Sequence, residues 1–496
     1  MTEQDSIKRQ KVDKPKKKLI INAFTHGAAT AWAHPDDRSR ELTRSLEPWI
    51  ELAQYAEKAK LHGIFIADHL TVFNANNDYE ASAIQGHNIP RIDPSSIVPA
   101  LAALTKNLGF GVTFSTVSEA PYLFARRLAS LDHITKSRIG WNIVSSYLNT
   151  ISDQLLNGEP FPEHDARYAR TEEYVDVVQE LILSSWREDA LINDKQNKIF
   201  IKPERLREIN YEGEYFKVKG PAITEPLKSG FPVVIQAGTS IKGKQLAART
   251  AEIVYLDDRD KDTLKEKIDD IKRIAKNEFG RDPDSIKFLI ASIPIIGRTH
   301  AEAEEKLYKL QAAKIEGTAE TGFSGISGID LTKYGDDDIV DIDLDSNNGL
   351  RTTVENVARV RHGKKLTKRE IIINYGKRSA SLFGSYVEVA DEIERWVRDY
   401  GIDGLNLSGY IFPDGIKDIT ELLIPELQKR GIFHDDYEVP GGSFRENIKG
   451  EKGAIYFDED HPSHDLKWTA NESKEDFEIK IKKTHDKLSQ IRKNLK

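Results

Sequence analysis

The segment Pro232-Val-Val-Ile-Gln-Ala-Gly-Thr-Ser-Ile-Lys-Gly-Lys-Gln reads as a buried strand that turns through glycine into a helix. Backbone amides and the positive end of a helix hold phosphate in that geometry. Gly238 to Lys244 satisfies Gly-x-x-x-x-Gly-Lys, but Gln245 stands where a Ser or Thr hydroxyl would have to hold Mg2+, which disfavours a nucleotide triphosphatase. What survives is a cradle for a phosphate monoester at Gly238, with Ser240 as an added hydroxyl donor; an ordinary strand-to-helix turn has the same pattern. Polar residues also interrupt apolar runs: Asp68 closes Ile64-Phe-Ile-Ala-Asp, Thr113 and Ser115 lie in Gly111-Val-Thr-Phe-Ser, and Asn142 lies in Ile139-Gly-Trp-Asn-Ile-Val. Such groups are costly to bury unless hydrogen-bonded, so their convergence points to a ligand with a polar ring or a hydroxylated chain, or to hydrogen bonds within a core. His164-Asp-Ala-Arg-Tyr168 opens a long helix with an imidazole, a guanidinium and a phenol, a set suited to an anion and also to a solvated helix start.

Other patterns fail on inspection. Asp341, Asp343 and Asp345 imitate a calcium loop, but Ser346 replaces the required glycine and Thr352 the closing glutamate. His461-Pro-Ser-His464 has a metal-like spacing in a polar tail without third and fourth ligands, and no metal site is expected. No Gly-x-Gly-x-x-Gly follows any strand, so the chain carries no dinucleotide fingerprint of its own.

The elements that must position these residues alternate between strand-like and helix-like from about residue 18 to 430, the pattern of a parallel sheet with crossover helices. Strands are predicted at 19–24, 64–67, 108–115, 139–144, 232–236, 252–256, 288–296 and 404–407. Their runs are continuously apolar, as in strands covered by helices outside and packed side chains within, and their number predicts a closed (β/α)8 TIM barrel. Leu46, Trp49, Ile50, Ala53 and Ala56 mark one exterior helix before Gly63; others are predicted at 121–134, 166–186, 261–279, 386–400 and 419–429. In such a barrel Asp68 falls at the C-terminal face, where barrel enzymes do their chemistry. Between about 315 and 375 the pattern dissolves into Gly, Ser, Asp and Asn, read as an insertion over the active-site mouth. The predicted organisation is a basic disordered tail at 1–17, a barrel at 18–434 with that insertion, and a polar C-terminal extension at 435–496 ending in a charged helix near 475–493.

Composition narrows the function. Of 496 residues, 39% are hydrophobic and 31% charged, enough for a large core under a solvated exterior, and a net charge of −8 offers no face for nucleic acid. No run approaches the ~20 apolar residues of a membrane span and no secretory signal opens the chain, so no membrane partner and a cytoplasmic location are expected. The absence of cysteine removes disulfides, thiolate nucleophiles and Fe–S clusters, and with one methionine the chain suits an enzyme that handles peroxides.

Asn22-Ala-Phe, Phe65-Ile-Ala-Asp68, Val112-Thr-Phe-Ser-Thr116, Ala125-Arg-Arg, Leu131-Asp-His-Ile-Thr-Lys-Ser-Arg-Ile-Gly-Trp-Asn-Ile-Val-Ser, His164-Asp-Ala-Arg-Tyr168, Gln236-Ala-Gly and Gly401-Ile-Asp-Gly-Leu-Asn together resemble the bacterial-luciferase-like flavin-dependent monooxygenases. The resemblance runs from about residue 18 to 445. It is nearest to the subgroup that acts on nitrilotriacetate, long-chain alkanes and dibenzothiophene sulfone. It implies a (β/α)8 barrel serving as the oxygenase component of a two-component system. Such a component takes reduced FMN from a separate NAD(P)H-dependent flavin reductase, uses O2 as co-substrate, oxidises a small organic substrate and forms a homodimer or homotetramer. By motif, Asp68, Thr113 and Asn142 meet the flavin ring or ribityl chain, and His164, Tyr168, Gly238 and Ser240 surround its phosphate. The alkane-oxidising members carry a cysteine and histidines around the pocket, whereas this chain has Tyr147 and Gly322 at two of the histidine positions, so alkane hydroxylation does not carry over. His26 and Tyr147 are the candidates for proton transfer or substrate orientation. The alternatives are a deazaflavin-dependent oxidoreductase on the same fold, a non-catalytic flavin-binding protein, and a phosphate-handling barrel enzyme.

Overall fold

The computed structural model describes residues 17–495 except 29–30, 74–78, 149, 258–260, 343–353, 355–356, 358–364 and 377–380. Nearly all of the basic tail, together with Asp343 and Asp345, therefore lies outside the described residues. Eight parallel strands close into a barrel in sequence order: β1 (Ile20–Thr25), β2 (Gly63–Ile66), β3 (Gly109–Ser115), β4 (Ile139–Val144), β5 (Val233–Gln236), β6 (Ile253–Asp257), β7 (Lys287–Ser292) and β8 (Gly404–Ser408). All eight predicted strands are found. Only the seventh differs in extent by more than one residue at either end. Pro294 cannot donate to a ladder, so the barrel strand stops at Ser292, and Ile295–Gly297 leaves the barrel to pair with Phe383–Ser385.

Helices cover the exterior: α1 (Glu47–Lys58), α2 (Pro121–Thr135), α3 (His164–Ser184), α4 (Ile241–Thr250) and α5 (Lys261–Phe279). Farther along follow α6 (Thr318–Ser327), α7 (Lys368–Gly376), α8 (Tyr386–Tyr400), α9 (Phe444–Lys449) and α10 (Lys474–Asn494). Their starts and stops follow local chemistry. Helix α8 opens on a capping box of Ser385 and Glu388, buries Val389, Ala390, Ile393 and Trp396 along one stripe, and ends at Gly401 in the left-handed region.

Two regions depart from the sequence expectation. The insertion is not structureless, since α6 and α7 lie in it and Phe323, Leu331, Val340, Leu366 and Ile371 form a small core there. Helix α6, TAETGFSGIS, is poor in strong helix formers and is held by burying Phe323 and Ile326 rather than by propensity. The C-terminal extension enters the barrel. Phe444, 1% exposed, fills the floor where Gly63, Gly109 and Gly140 leave room, and a Cβ on Gly109 would lie 2.0 Å from its ring. Arg445 follows it and pairs with Glu252 at 2.6 Å and 3.0 Å. Helix α10 then clasps α3 through Arg492 with Asp176 and Glu172. No helix among the described residues is long and apolar enough to cross a membrane.

Candidate active site

The C-terminal ends of β1 to β5, five consecutive staves of the barrel, carry every candidate cofactor or catalytic residue named from the sequence except His164 and Tyr168, which the first turns of α3 supply. At one end of this arc lies a hydroxyl cluster. Tyr168 is within hydrogen-bonding reach of Ser240 and Ser145, and burial raises its pKa, so the phenol stays protonated. His164 packs its ring on Tyr168 at 4.9 Å and bonds Asp165 through Nδ1 at 2.7 Å. Ser240 caps α4, accepting from Gly243 N–H at 3.1 Å, which leaves its own hydrogen to donate elsewhere.

Gly238 differs from the sequence expectation in one respect. Its amide is not a free donor, because Gln236 Oε1 takes the Ala237 and Gly238 N–H groups at 2.5 and 2.7 Å. What Gly238 contributes is space: a Cβ there would lie 2.7 Å from the Tyr168 hydroxyl and 3.3 Å from Gly243 Cα. Lys244, the lysine of the near-miss phosphate-loop motif, is turned to Asp270 at 2.6 Å.

In the middle of the arc, Asn142 and Thr113 are register partners on β4 and β3, and Asn142 Nδ2 donates to Thr113 Oγ1 at 2.9 Å. Asn142 Oδ1 is buried without a partner among the described residues, an acceptor that a ligand N–H or O–H would satisfy. Asp68 follows β2, 3.9 Å from the Arg91 guanidinium. Burial pushes its carboxyl up to about 6, against the pull of Arg91 and of the His69 backbone N–H, which donates to Oδ1 at 2.8 Å.

At the other end, His26 follows β1 with its ring 4.7 Å from Phe24 and stacked 6.5 Å from His69. Tyr147 is hydrogen-bonded to His69 Nδ1 at 3.1 Å. Around Tyr147, Phe73, Leu148, Ile151 and Phe161 form an apolar cluster with Ile326 of α6 and Tyr375 of α7, so the insertion packs on the mouth loops. Gly322 admits Tyr375, whose ring would be 2.7 Å from a Cβ there. Among the described residues no three metal-ligating side chains gather, and His461 instead stacks on Phe457 at 4.0 Å.

A family model described as luciferase-like monooxygenase matches residues 24–403. The chain belongs to this family. Among luciferase-like relatives, the long-chain alkane monooxygenase of Geobacillus thermodenitrificans (strain NG80-2) is 38% identical, with 90% of this chain and 97% of that protein covered. The dimethyl-sulfide monooxygenase of Hyphomicrobium sulfonivorans is 35% identical, covering 90% and 93%. Nitrilotriacetate monooxygenase component A of Aminobacter aminovorans is 32% identical, covering 84% and 92%. A crystal structure of a riboflavin lyase with modified FMN and riboflavin superposes with a TM-score of 0.82 at 31% identity, covering 91% and 100%.

Within this luciferase-like barrel, sequence reasoning passed over four residues. Ser145 closes the run that begins at Leu131 and His69 directly follows Asp68, and their positions just past strand ends were the available signal. Gln236 reads in sequence as the end of a strand, and only the turn shows its oxygen closing the loop. Arg91 gave no signal at all. Its Nη1 donates to the His26 and Ala67 carbonyls at 2.6 and 3.0 Å, tying the ends of β1 and β2 across 65 and 24 residues of chain.

Proposed function

We propose that this flavin-dependent monooxygenase is the oxygenase component of a two-component system, taking reduced FMN from a separate NAD(P)H-dependent flavin reductase and using O2 to oxidise a small organic substrate. The observation that carries the reading is the hydroxyl cluster of Tyr168, Ser145 and Ser240 around Gly238, with the unpartnered oxygen of Asn142 on the same arc. A phosphate end and a polar ring end set apart along adjacent strands fit a flavin mononucleotide. The relative named component A and the riboflavin lyase with modified FMN support the same reading.

Tyr168, Ser145 and Ser240 would donate to the phosphate, with His164 behind Tyr168. Thr113 and Asn142 would meet the ring or ribityl chain beside Asp68. Reduced FMN supplies the electrons with which O2 yields one oxygen atom to the substrate and one to water. His26 and Tyr147 orient the substrate at the far end of the arc. The cluster of Phe73, Leu148, Ile151, Phe161, Ile326 and Tyr375 keeps water from the mouth, which protects a reactive oxidant and strengthens every hydrogen bond inside. The resemblance also carries over a cytoplasmic homodimer or homotetramer, which light scattering on purified protein checks for oligomeric state.

The decisive experiment supplies reduced FMN from any generic reductase, with O2, to a panel of amine, thioether, sulfone, sulfonate and alkane substrates. An oxygenated product that requires both reductase and FMN is expected, with no NADH consumption by the isolated protein. NADH oxidation without the reductase, or turnover with a reduced deazaflavin and none with FMN, would overturn the proposal.

A further inference from the structure

The Tyr147–His69 contact favours one arrangement of protons. Burial raises the Tyr147 pKa, and burial beside Arg91, His26 and His87 holds His69 well below the usual imidazole range. Both groups are therefore neutral at working pH, and of the two ways to share a hydrogen across the 3.1 Å bond, Tyr147 O–H donating to a bare Nδ1 pairs the stronger donor, a phenol, with the stronger acceptor, an imidazole nitrogen. The single hydrogen on the His69 ring then sits at Nε2, on the side away from Tyr147. The ring is locked besides: it stacks on His26 at 6.5 Å and 11°, meets Phe73 edge-on at 5.3 Å, and its own backbone N–H is held by Asp68. Among the described residues, no group is bonded to Nε2, and the ring lies at the barrel mouth. The charged and titratable groups around it are Asp68, Arg91, His26, His87 and Tyr147, with Tyr375 behind Tyr147.

We propose that Tyr147 is a positioning residue that fixes His69 as the Nε2–H tautomer, and that this N–H is the hydrogen-bond donor for an acceptor atom of the substrate. The substrate class that follows is one with a lone-pair atom beside the oxidised bond, such as a thioether, a tertiary amine or a carboxylate-bearing derivative of either. A plain hydrocarbon would enclose the donor without a partner, and sites built to hydrogen-bond a substrate reject analogues that lack the group. The inference rests on the proposed function for its substrate, whereas the tautomer does not depend on that reading.

Two arms test it. In the full-length protein labelled with 15N-histidine, with His69 assigned by the loss of its signals in His69→Gln, the expected state at neutral pH is a protonated Nε2 and a bare, hydrogen-bonded Nδ1. Tyr147→Phe should mix the tautomers. A native ring protonated at Nδ1, or signals that Tyr147→Phe leaves unchanged, would refute the assignment, and neither result depends on flavin binding. The second arm uses whichever of an alkyl thioether, a tertiary amine and an n-alkane of equal length the native enzyme oxidises best with reduced FMN. His69→Ala should lower kcat/KM about ten- to a hundredfold with reduced-FMN affinity little changed. His69→Gln, whose amide nitrogen reaches the place of Nε2, should recover much of the loss, and His69→Asn, whose amide stands nearer Nδ1, should not. Preference for the alkane, or equal losses in the Gln and Asn variants, would overturn the role of His69 while leaving the flavin reading intact.

Discussion

Two arginines, one at each end of the barrel, show how differently the ends are built. At the floor every side-chain nitrogen of Arg445 is bonded: Nε and Nη2 to Glu252, Nη1 to the Ile455 and Ser229 carbonyls, and Nη2 also to those of Phe231 and Pro232. Arg91 at the mouth bonds two carbonyls and Asn88, stands 3.9 Å from Asp68, and keeps a buried Nε with no partner among the described residues. A saturated guanidinium closes a structure. An unsaturated one, beside the unmet oxygen of Asn142, leaves hydrogen-bonding capacity that a ligand completes. The division follows the general rule for barrels, in which the N-terminal face carries stability and the C-terminal face carries chemistry. It also explains the extension after residue 434, which supplies the plug that the glycine-lined floor requires.

The contrast is open to direct attack. The largest effect is expected at the floor: Arg445→Ala leaves Glu252 buried and unpaired, and should cost about 3–5 kcal/mol in chemical denaturation. Arg91→Ala should cost clearly less stability and should abolish most turnover; if it unfolds the protein as readily as Arg445→Ala, the two ends are not distinct in kind. Next come Tyr168→Phe and Ser240→Ala. A hydrogen bond to a charged acceptor contributes roughly 1.5–3 kcal/mol, so each variant should bind reduced FMN about ten- to a hundredfold more weakly. Riboflavin, which lacks the phosphate, should bind the native protein weakly and lose little further affinity in either variant. Equal losses for riboflavin and FMN would remove the phosphate from the cluster at Gly238.

A subtler comparison uses the two carboxyls that burial raises to about 6, Asp68 at the mouth and Asp132, which accepts from Ser229 and Ser137 on the floor side. Their folded pKa values lie above the unfolded value, so the folded state prefers the protonated form. The stability each contributes is complete below about pH 4 and is lost as pH rises through about 6. With shifts of about two units the loss is on the order of 3 kcal/mol for each group. Asp68→Asn and Asp132→Asn should each flatten that part of the stability–pH curve of the ligand-free protein. Only Asp68→Asn should also impair turnover at limiting FMN. A loss of activity in Asp132→Asn with its stability curve unchanged would reverse the assignment of the two ends.

The sequence made the barrel legible because its strands are apolar over most of their length, with no strict alternation, and a run such as Gly109–Ser115, buried at every position, has few other ways to fold. The hydroxyl cluster was legible for a similar reason: Gly238, Ser240 and Tyr168 each sit where a strand or helix end aims them. What stayed hidden were contacts between residues far apart in the chain. Arg91 reaches back to His26, Phe444 finds the glycines of three strands, and Tyr147 meets His69 across 78 residues. No local period or motif encodes these. Helix α6 stayed hidden because its stability comes from burial rather than from the propensity of its own residues.

The motif most legible of all was also the most misleading, and it supplies the smallest expected effect. Gly238 to Lys244 spells nearly a whole nucleotide-binding loop, in which the lysine reaches a phosphate. Here Lys244 Nζ lies 2.6 Å from Asp270 on α5, and the pair is partly solvated, so its charge is already answered on the outer surface between two helices. Lys244→Met should therefore cost less than about 1 kcal/mol of stability, as partly exposed pairs do, and should leave reduced-FMN affinity unchanged at moderate salt. Titration of the variant beside Ser240→Ala makes the comparison internal, because the two side chains lie four residues apart at the same helix start. If Lys244→Met weakens FMN as much as Ser240→Ala while riboflavin binding is unaffected, the lysine leaves Asp270 for the phosphate when the ligand binds. The cradle would then work by a mobile charge as well as by fixed hydroxyls.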